Sequence, residues 1–289
     1  MYNRKDFIKL SSGAAIGLFL NSCAVSSAST GGSSIRNLGI QLYSLRDDLP
    51  KNPKEVLKQL AGFGYKEIES YEGNQGMFWG MGNTGFKAYM NELGMKMVSS
   101  HCNFKENLEK KAADAAAIDM EYLICPHVGK QKTLDDYKKI ADSFNTASEI
   151  CRKNGIRFAY HNHAYSFTVQ DGKYPQDILM QNATHTNMDF EMDIYWVVAA
   201  GQDPISWFKK YPNRFRLSHV KDRTKGIPPK EGEENHSCIV GNGSIDFKSI
   251  LKEGRKEGLQ HYILEQEAYE KPPIACVKEG ADYLTKLKF

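Results

Sequence analysis

Short apolar runs alternate along the chain with longer segments that mix apolar and polar residues at helical spacing. Eight of the runs have a strand-like composition and begin near residues 39, 65, 95, 121, 156, 187, 215 and 261. The segments between them carry helix boundaries: Pro53 starts one helix, Thr133 caps another that ends near Gly155, and Ser244 or Asp246 opens a third. Several runs follow a glycine that ends a helix, as in "NGIRFAY", which is typical of repeating β-α units.

Eight such units predict an α/β fold, and specifically a single-domain (β/α)8 TIM barrel over residues 36–289. A doubly wound sheet is the alternative. It would normally use fewer strands and a glycine-rich first turn, which "SLRDDLPKNP" lacks. Active sites of barrels lie at the carboxyl ends of the strands, so the residues at those ends carry the functional information.

The N-terminal segment is predicted to be an export signal rather than a part of the barrel. A basic stretch and a short apolar run precede "LNSC", and residues 1–23 resemble a lipoprotein-type signal in which Cys23 is lipidated. A plain signal peptide with an incidental Cys23 is the alternative. Residues 24–35, which contain "AVSSASTGGSS", indicate a flexible tether. We therefore expect an exported protein of the cell envelope or periplasm, in contact with the membrane only through a lipid anchor.

Composition narrows the functional classes only slightly. The formal net charge of +3 is too small to indicate a nucleic-acid-binding surface, so no nucleic-acid partner is expected. If Cys23 carries lipid, five of the six cysteines remain, and no two of them have C-x-x-C spacing. An odd number without that spacing argues against a disulfide framework or a zinc knuckle. The oligomeric state stays open, with a homo-oligomer among the options.

Ionisable side chains fall at the predicted carboxyl ends of seven of the eight strands. They are Glu69, His101, His127, His161 with His163, Asp193, His219 and Glu265. A solvated rim would not usually supply carboxylates and imidazoles without any lysine. The set is therefore a ligand inventory for a divalent metal ion.

The motif "YHNH" at residues 160–163 places two of these histidines at one strand end. Strand side chains alternate between faces, so His161 and His163 should project to the same side. The pair alone does not distinguish a metal or catalytic site from a structural role.

The residues from about 36 to 289 resemble the xylose-isomerase-like barrel family, which holds sugar-phosphate isomerases/epimerases and inosose dehydratases. The matching pieces, in order, are "GYKEIE", "SSH", "GIRFAYHNH", "MDIYWVVAAGQDP", "LSHVKD", "VGNGSIDF" and "ILEQE". The resemblance implies one divalent ion with ligands at the ends of strands five to eight, and Asp193, His219 and Glu265 match three of them. The family usually has a glutamate where this chain has His161. The expected ligand set is His161, Asp193, His219 and Glu265, and the imidazole favours Zn, Mn, Co or Fe over Mg.

The histidine also bears on the reaction that the resemblance implies. Family epimerases use two opposed metal-bound glutamates, and here only Glu265 remains as such a group. Deprotonation beside a metal-polarised carbonyl, followed by elimination, hydration or aldose–ketose exchange, needs one base and an acid. The catalytic residues are therefore predicted to be Glu265, Lys221 and His163. The predicted substrate contacts are Glu69, His101, His127, Trp79 and Trp196.

An exported enzyme would rarely meet phosphorylated sugars, so the expected substrate is an unphosphorylated sugar, a keto sugar or a cyclitol. The function expected is a metal-dependent isomerase, epimerase or dehydratase-type lyase. Two alternatives stay open: a non-catalytic carbohydrate-binding lipoprotein on a degenerate barrel, and a metal-dependent hydrolase of the same superfamily. Fold alone does not separate them.

Overall fold

The computed structural model describes residues 34–229 and 235–289. The predicted export signal, with Cys23, lies outside the described residues, as does the predicted tether up to residue 33. The last two residues assigned to the tether are described and contact the rest of the chain. Ser34 forms an antiparallel bridge with Lys288, and Ile35 is buried in the hydrophobic core.

The main sheet is a closed barrel of eight parallel strands. The barrel strands are β1 Leu38–Gln41, β2 Glu67–Tyr71, β3 Lys96–His101, β4 Tyr122–Cys125, β5 Arg157–His161, β6 Met188–Asp193, β7 Phe215–Val220 and β10 His261–Leu264. Around the barrel they follow the order β1-β10-β7-β6-β5-β4-β3-β2. Two short strands, β8 Asp222–Arg223 and β9 Ser237–Cys238, pair antiparallel in the loop after β7. The predicted (β/α)8 barrel is confirmed.

Helices separate the barrel strands along the chain. They are α1 Pro53–Gly62, α2 Gly82–Glu92, α3 Leu108–Ala116, α4 Leu134–Lys153, α5 Pro175–Asn182, α6 Ile194–Ala199, α7 Pro204–Lys210, α8 Phe247–Lys256 and α9 Pro273–Leu284. None of the helices in the described ranges is long and apolar enough to span a bilayer.

Two helices begin directly after a residue whose side chain caps the helix. Thr133 accepts the backbone N–H of Asp136 at 3.2 Å, and Asp246 accepts that of Ser249 at the same distance. These bonds satisfy N–H groups that have no partner inside the helix, so α4 and α8 begin where the sequence predicts.

Strand ends are less regular than the apolar runs indicate. The run "GIQLYSL" predicts a strand through residue 45, but β1 ends at Gln41 and residues Leu42–Leu45 form a 3-10 turn. The Gln41 side chain accepts the Tyr43 N–H at 3.0 Å and turns the chain away from the sheet. Similarly, β10 ends at Leu264, so Glu265 lies just beyond its strand.

The barrel is filled by two kinds of side chain. A buried apolar cluster on inward positions of four strands consists of Tyr122, Ile124, Ala159, Leu217 and Ile263. Inward positions nearer the carboxyl ends carry buried carboxylates and imidazoles instead. Because side chains on one strand face alternate positions, the same strands supply both the apolar filling and the polar layer above it.

Candidate metal-dependent active site

The four predicted metal ligands meet at the carboxyl end of the barrel. His161, Asp193, His219 and Glu265 are all buried, and each offers a donor atom within 4.8 Å of the others. Strand register produces part of this arrangement, because Asp193 on β6 pairs directly with His219 on β7. His161 ends β5, and Glu265 follows β10, on the other side of β7.

Two atoms of this group that could bind a metal ion face each other, and neither has a hydrogen-bond partner within the described protein. His161 Nδ1 lies 3.1 Å from the carbonyl oxygen of Pro126, so its N–H donates there and Nε2 carries the lone pair. Nε2 and Asp193 Oδ2 are 3.4 Å apart, and neither makes a hydrogen bond within the described protein. The other oxygen of Asp193 accepts the N–H of Trp196 at 3.1 Å. Buried unsatisfied acceptors are costly unless a cation shares them, so these residues fit a metal ion.

His219 is held from both sides by carboxylates. Its Nδ1 lies 3.1 Å from Glu265 Oε2, and its Nε2 lies 2.6 Å from Glu69 Oε1. A carboxylate that accepts one ring N–H fixes the tautomer and orients the other nitrogen toward a metal ion. Burial alone would lower the pKa of His219, but Glu191 and Glu265 outweigh it and raise that pKa well above its ordinary value.

A second group of potential ligands lies beside the first and shares His219. It consists of Glu69, His101, Glu191 and His219, again with donor atoms within 4.8 Å of one another. Glu69 and His101 were expected to touch the substrate. The structure buries both and joins them, because His101 Nε2 lies 3.2 Å from Glu69 Oε1 and 2.9 Å from Glu191 Oε2.

Lys221 is fully buried among carboxylates. Its ammonium lies 3.3 Å from Glu265 Oε2 and 3.8 Å from Asp193 Oδ2, and it also bonds to Glu267. Burial opposes its charge, but Glu265, Asp193 and Glu267 raise its pKa above the ordinary value. Lys221 is therefore a fixed cation, and the pKa of Glu265 is held well below its usual range because His219 and Lys221 outweigh burial.

A cavity of about 540 Å³ opens above the first group. The sequence-predicted residues that line it are His101, His127, His161, His163, Trp196 and Glu265. The lining residues that the sequence analysis missed include Tyr43, Tyr71, Glu72, Asn103, Glu106 and Glu267. The volume is in the usual range for small-molecule sites.

His163 stands on the wall of this cavity as a neutral imidazole. Its ring stacks on Tyr165 at 5.7 Å and on Trp196 at 5.6 Å between centroids. Burial and the neighbouring rings of His161 and His127 lower its pKa well below the ordinary value. Its Nδ1 is buried and lacks a hydrogen-bond partner within the described protein. A neutral ring with a free nitrogen can accept or donate a proton at a substrate oxygen.

Two of the predicted substrate contacts do not reach the cavity. Trp79 is 2% exposed, donates from Nε1 to Ser70 Oγ at 3.0 Å, and packs edge-on against Tyr71. Glu69 is completely buried beneath the cavity and bonds to His219. Neither residue lines the cavity, since the loop after β2 folds back over the strand and Glu69 points into the barrel. Their role as substrate contacts stays a prediction.

The tyrosines replace Trp79 as the aromatic surface. Tyr71 ends β2, and Tyr43 lies in the turn after β1 with 39% of its surface exposed. The Arg46 guanidinium lies 4.9 Å from the Tyr43 ring centre and fixes it. The position of Tyr71 at the end of an apolar run could have identified it as a cavity residue. Nothing in the sequence spacing indicates that role for Tyr43.

The glycine-rich loop "GNG" before α8 is occupied by the protein's own carboxylate. Asp222 accepts the N–H groups of Gly241 and Gly243 at 2.9 Å each, and that of Ile245 at 3.2 Å. A Cβ at Gly243 would lie 2.1 Å from Asp222 Oδ1. The close approach therefore requires glycine at 243, and the N–H groups that could receive a phosphate in such a loop are taken.

Comparison with known proteins agrees with this architecture. A family model described as a xylose isomerase-like TIM barrel matches residues 57–287. The inosose dehydratase of Clostridium beijerinckii is 26% identical over 151 residues, which are 49% of this chain and 50% of that enzyme. The match spans about half the length of the curated relatives.

Solved structures cover more of the chain. A sugar phosphate isomerase/epimerase from Parabacteroides distasonis is 28% identical, with a TM-score of 0.75, and the match covers 91% of this chain and 96% of that one. The IolI protein, solved with a bound zinc atom, has the same fold at 15% identity, with a TM-score of 0.71 over 88% of this chain and 99% of that one. Because the family model covers most of the barrel, the chain belongs to the xylose isomerase-like TIM barrel family.

Proposed function

We propose that this protein is a divalent-metal-dependent isomerase, epimerase or dehydratase-type lyase that acts on an unphosphorylated sugar, keto sugar or cyclitol. The observation that carries the proposal is the convergence of His161, Asp193, His219 and Glu265 beneath the cavity, with two buried donor atoms facing each other. The names of the relatives, inosose dehydratase and sugar phosphate isomerase/epimerase, support the same class of chemistry.

The four residues would hold the ion through His161 Nε2, His219 Nδ1 and the carboxylates of Asp193 and Glu265. Two imidazoles and two carboxylates suit Zn, Mn, Co or Fe better than Mg, and the zinc in the IolI neighbour is consistent with that donor set. A bound ion of this kind polarises a substrate carbonyl and acidifies the adjacent C–H group.

Glu265 is the base in this proposal. It lines the cavity, and its lowered pKa keeps it ionised at neutral pH. Lys221 stabilises the carboxylate and stays protonated. His163, a neutral ring that also lines the cavity, would hydrogen-bond a substrate oxygen and supply or receive the second proton. One carboxylate and one imidazole of different basicity suit elimination or aldose–ketose exchange better than a symmetric two-glutamate epimerisation.

The cavity supports a neutral substrate. Among the described residues that line it, none is a lysine or arginine, whereas Glu72, Glu106 and Glu267 contribute carboxylates at its mouth. This lining therefore offers a phosphate no lysine or arginine to pair with, and Asp222 already fills the loop where barrels often bind phosphate. Tyr43, Tyr71 and Trp196 offer aromatic surface on which a sugar ring can stack.

The test is turnover by protein stripped of metal and reloaded separately with Zn, Mn, Co, Fe or Mg. Unphosphorylated sugars, 3-keto sugars and inososes are offered beside their phosphorylated counterparts, and products are followed by NMR. We expect metal-dependent conversion of at least one unphosphorylated compound. Asp193→Asn should abolish it, and Asp203→Asn, at the exposed cap of α7, is the matched control.

Binding of a sugar without conversion under any metal would overturn the catalytic proposal in favour of a binding protein. Conversion of sugar phosphates alone would overturn the substrate class.

A further inference from the structure

We propose that a second divalent cation binds directly beneath the first site, held by Glu69, His101, Glu191 and His219. This inference goes beyond the proposed function, which needs only one ion. The second site would share His219 with the first, Nδ1 serving the upper ion and Nε2 the lower one.

The geometry of the four side chains fits a shared ion. His101 Nε2 lies 2.9 Å from Glu191 Oε2, and His219 Nε2 lies 3.4 Å from the same oxygen. Both nitrogens also face Glu69 Oε1, at 3.2 Å from His101 and 2.6 Å from His219. Ligands about 2.0–2.1 Å from one tetrahedral ion lie about 3.3 Å from one another. The four observed separations lie on both sides of that value, and all four donor atoms lie within 4.8 Å of one another.

An independent observation comes from the unshared oxygen of Glu191. The residue is completely buried, and Oε1 makes no hydrogen bond within the described protein. Its strand, β6, places it two residues before Asp193, on the same inward face but deeper in the barrel. A buried carboxylate oxygen that accepts no hydrogen bond is costly unless a cation or a proton satisfies it.

Charge also favours a cation in the lower group. Glu69 and Glu191 are both completely buried, and His101 and His219 are the imidazoles that contact them. A divalent ion held there would offset the charge of both carboxylates. On binding it, His101 and His219 would each release the Nε2 proton to solvent, since a ring nitrogen coordinates through its lone pair.

The lower group is also preorganised and accessible. Gln41 Nε2 and Ser99 Oγ donate to the two oxygens of Glu69 at 2.7 and 2.6 Å, which fixes that carboxylate. His101 reaches the cavity, so an ion could enter past its ring. Hydrogen bonds of this kind orient the ligands in metal sites.

The experiment combines anomalous diffraction at the metal absorption edge with metal analysis of the full chain, loaded with Zn or Mn. The expected result is two anomalous peaks, one on each side of His219, and about two ions per chain. Glu191→Gln should remove the lower peak and reduce the content to about one ion. Glu67→Gln is the matched control, because Glu67 is a buried carboxylate on the same strand as Glu69 and pairs with His261 at 2.8 Å.

A single peak at the upper group in the wild-type protein would overturn the proposal, since protons on Glu191 and His101 would then supply the compensation. Two retained ions in Glu191→Gln would also overturn it. A peak at the lower group alone would support this proposal while contradicting the upper site. If Glu191→Gln fails to fold, His101→Gln gives the same comparison, and the wild-type diffraction data need no variant.

Discussion

His161 and His163 differ in one structural respect that sequence spacing does not show. The free nitrogen of His161 faces Asp193 at 3.4 Å, whereas the His163 ring lies between Tyr165 and Trp196 on the cavity wall. Because β5 ends at His161, His163 lies in the loop beyond the strand, and the two ring centroids are 5.0 Å apart.

The first prediction separates these roles. His163→Ala should lower turnover about 100-fold, the lower range for loss of a proton-transfer group, while metal content stays nearly unchanged. Asp193→Ala should lose both metal and activity. Steady-state kinetics and metal analysis of the same samples give the comparison. A His163→Ala protein as depleted of metal as Asp193→Ala would make His163 a ligand instead.

The second prediction concerns Glu265. Glu265→Gln retains an oxygen that coordinates weakly but cannot accept a proton at neutral pH, so turnover should fall by at least about 100-fold and metal occupancy by far less. The matched control is Glu279→Gln, because Glu279 lies on an exposed face of α9. Gln266, the direct neighbour of Glu265, is buried and is therefore unsuitable as a control position. Full activity in Glu265→Gln would move the base to another group, such as His101 or Glu267.

Residue identity at strand ends could be predicted, but side-chain direction could not. The four residues predicted to be ligands lie together as their positions indicate, whereas Trp79 turns into the core and Tyr43 enters the cavity from a turn. Periodicity reports which face of a strand a residue occupies. It carries no information about where a loop folds back, and that decides both exceptions.

At the scale of elements, the sequence predicts strand and helix positions to within a few residues. β7 coincides with the predicted run, and the caps of α4 and α8 are as expected. The failures occur where a polar side chain competes for backbone groups. Gln41 ends β1 early by binding the Tyr43 N–H, a local bond that apolar periodicity cannot reveal.

The third prediction concerns an ion-pair group at the opposite end of the same strands. His261 Nδ1 lies 2.8 Å from Glu67, and its Nε2 lies 3.2 Å from Glu121. Burial lowers the pKa of His261, but the two glutamates outweigh it and raise that pKa to about 9. The unfolded value is about 6.5, so the folded state binds the extra proton between these pH values. The resulting stability is complete below about pH 6.5 and disappears as the pH rises through 9.

His261→Gln should therefore lower the free energy of unfolding by about 1–3 kcal/mol at pH 6 and by much less at pH 9.5. Urea denaturation of both proteins at several pH values measures the difference, in which the other histidines cancel. Lys278→Gln, which breaks an exposed ion pair with Asp282, should have little effect at either pH. A difference that does not change with pH would assign the loss to packing.

For the whole molecule, two separate regions lead to the same substrate class. The N-terminal segment resembles an export signal, and the barrel offers a cavity whose described lining contains carboxylates and no lysine or arginine. Phosphorylated sugars are intracellular metabolites, so an exported enzyme would need no positively charged side chain to bind a phosphate group. The export signal and the cavity are interpreted independently of each other. The structure does not describe the N-terminal segment.

The fourth prediction tests that first region. The mature protein should begin at Cys23 and carry lipid on it, because "LNSC" follows a basic stretch and a short apolar run. Cys23→Ala should block processing or release the protein from the membrane, while Ser22→Ala should not. Intact-mass measurement and membrane fractionation of the chain in its native host distinguish these outcomes. The barrel should retain its metal content and turnover in both variants, since the predicted ligand residues all lie within the barrel, from Glu69 onward. An unprocessed chain in the cytoplasm would contradict export. The cavity lining without lysine or arginine and the loop filled by Asp222 would then be the remaining features that disfavour a phosphorylated substrate.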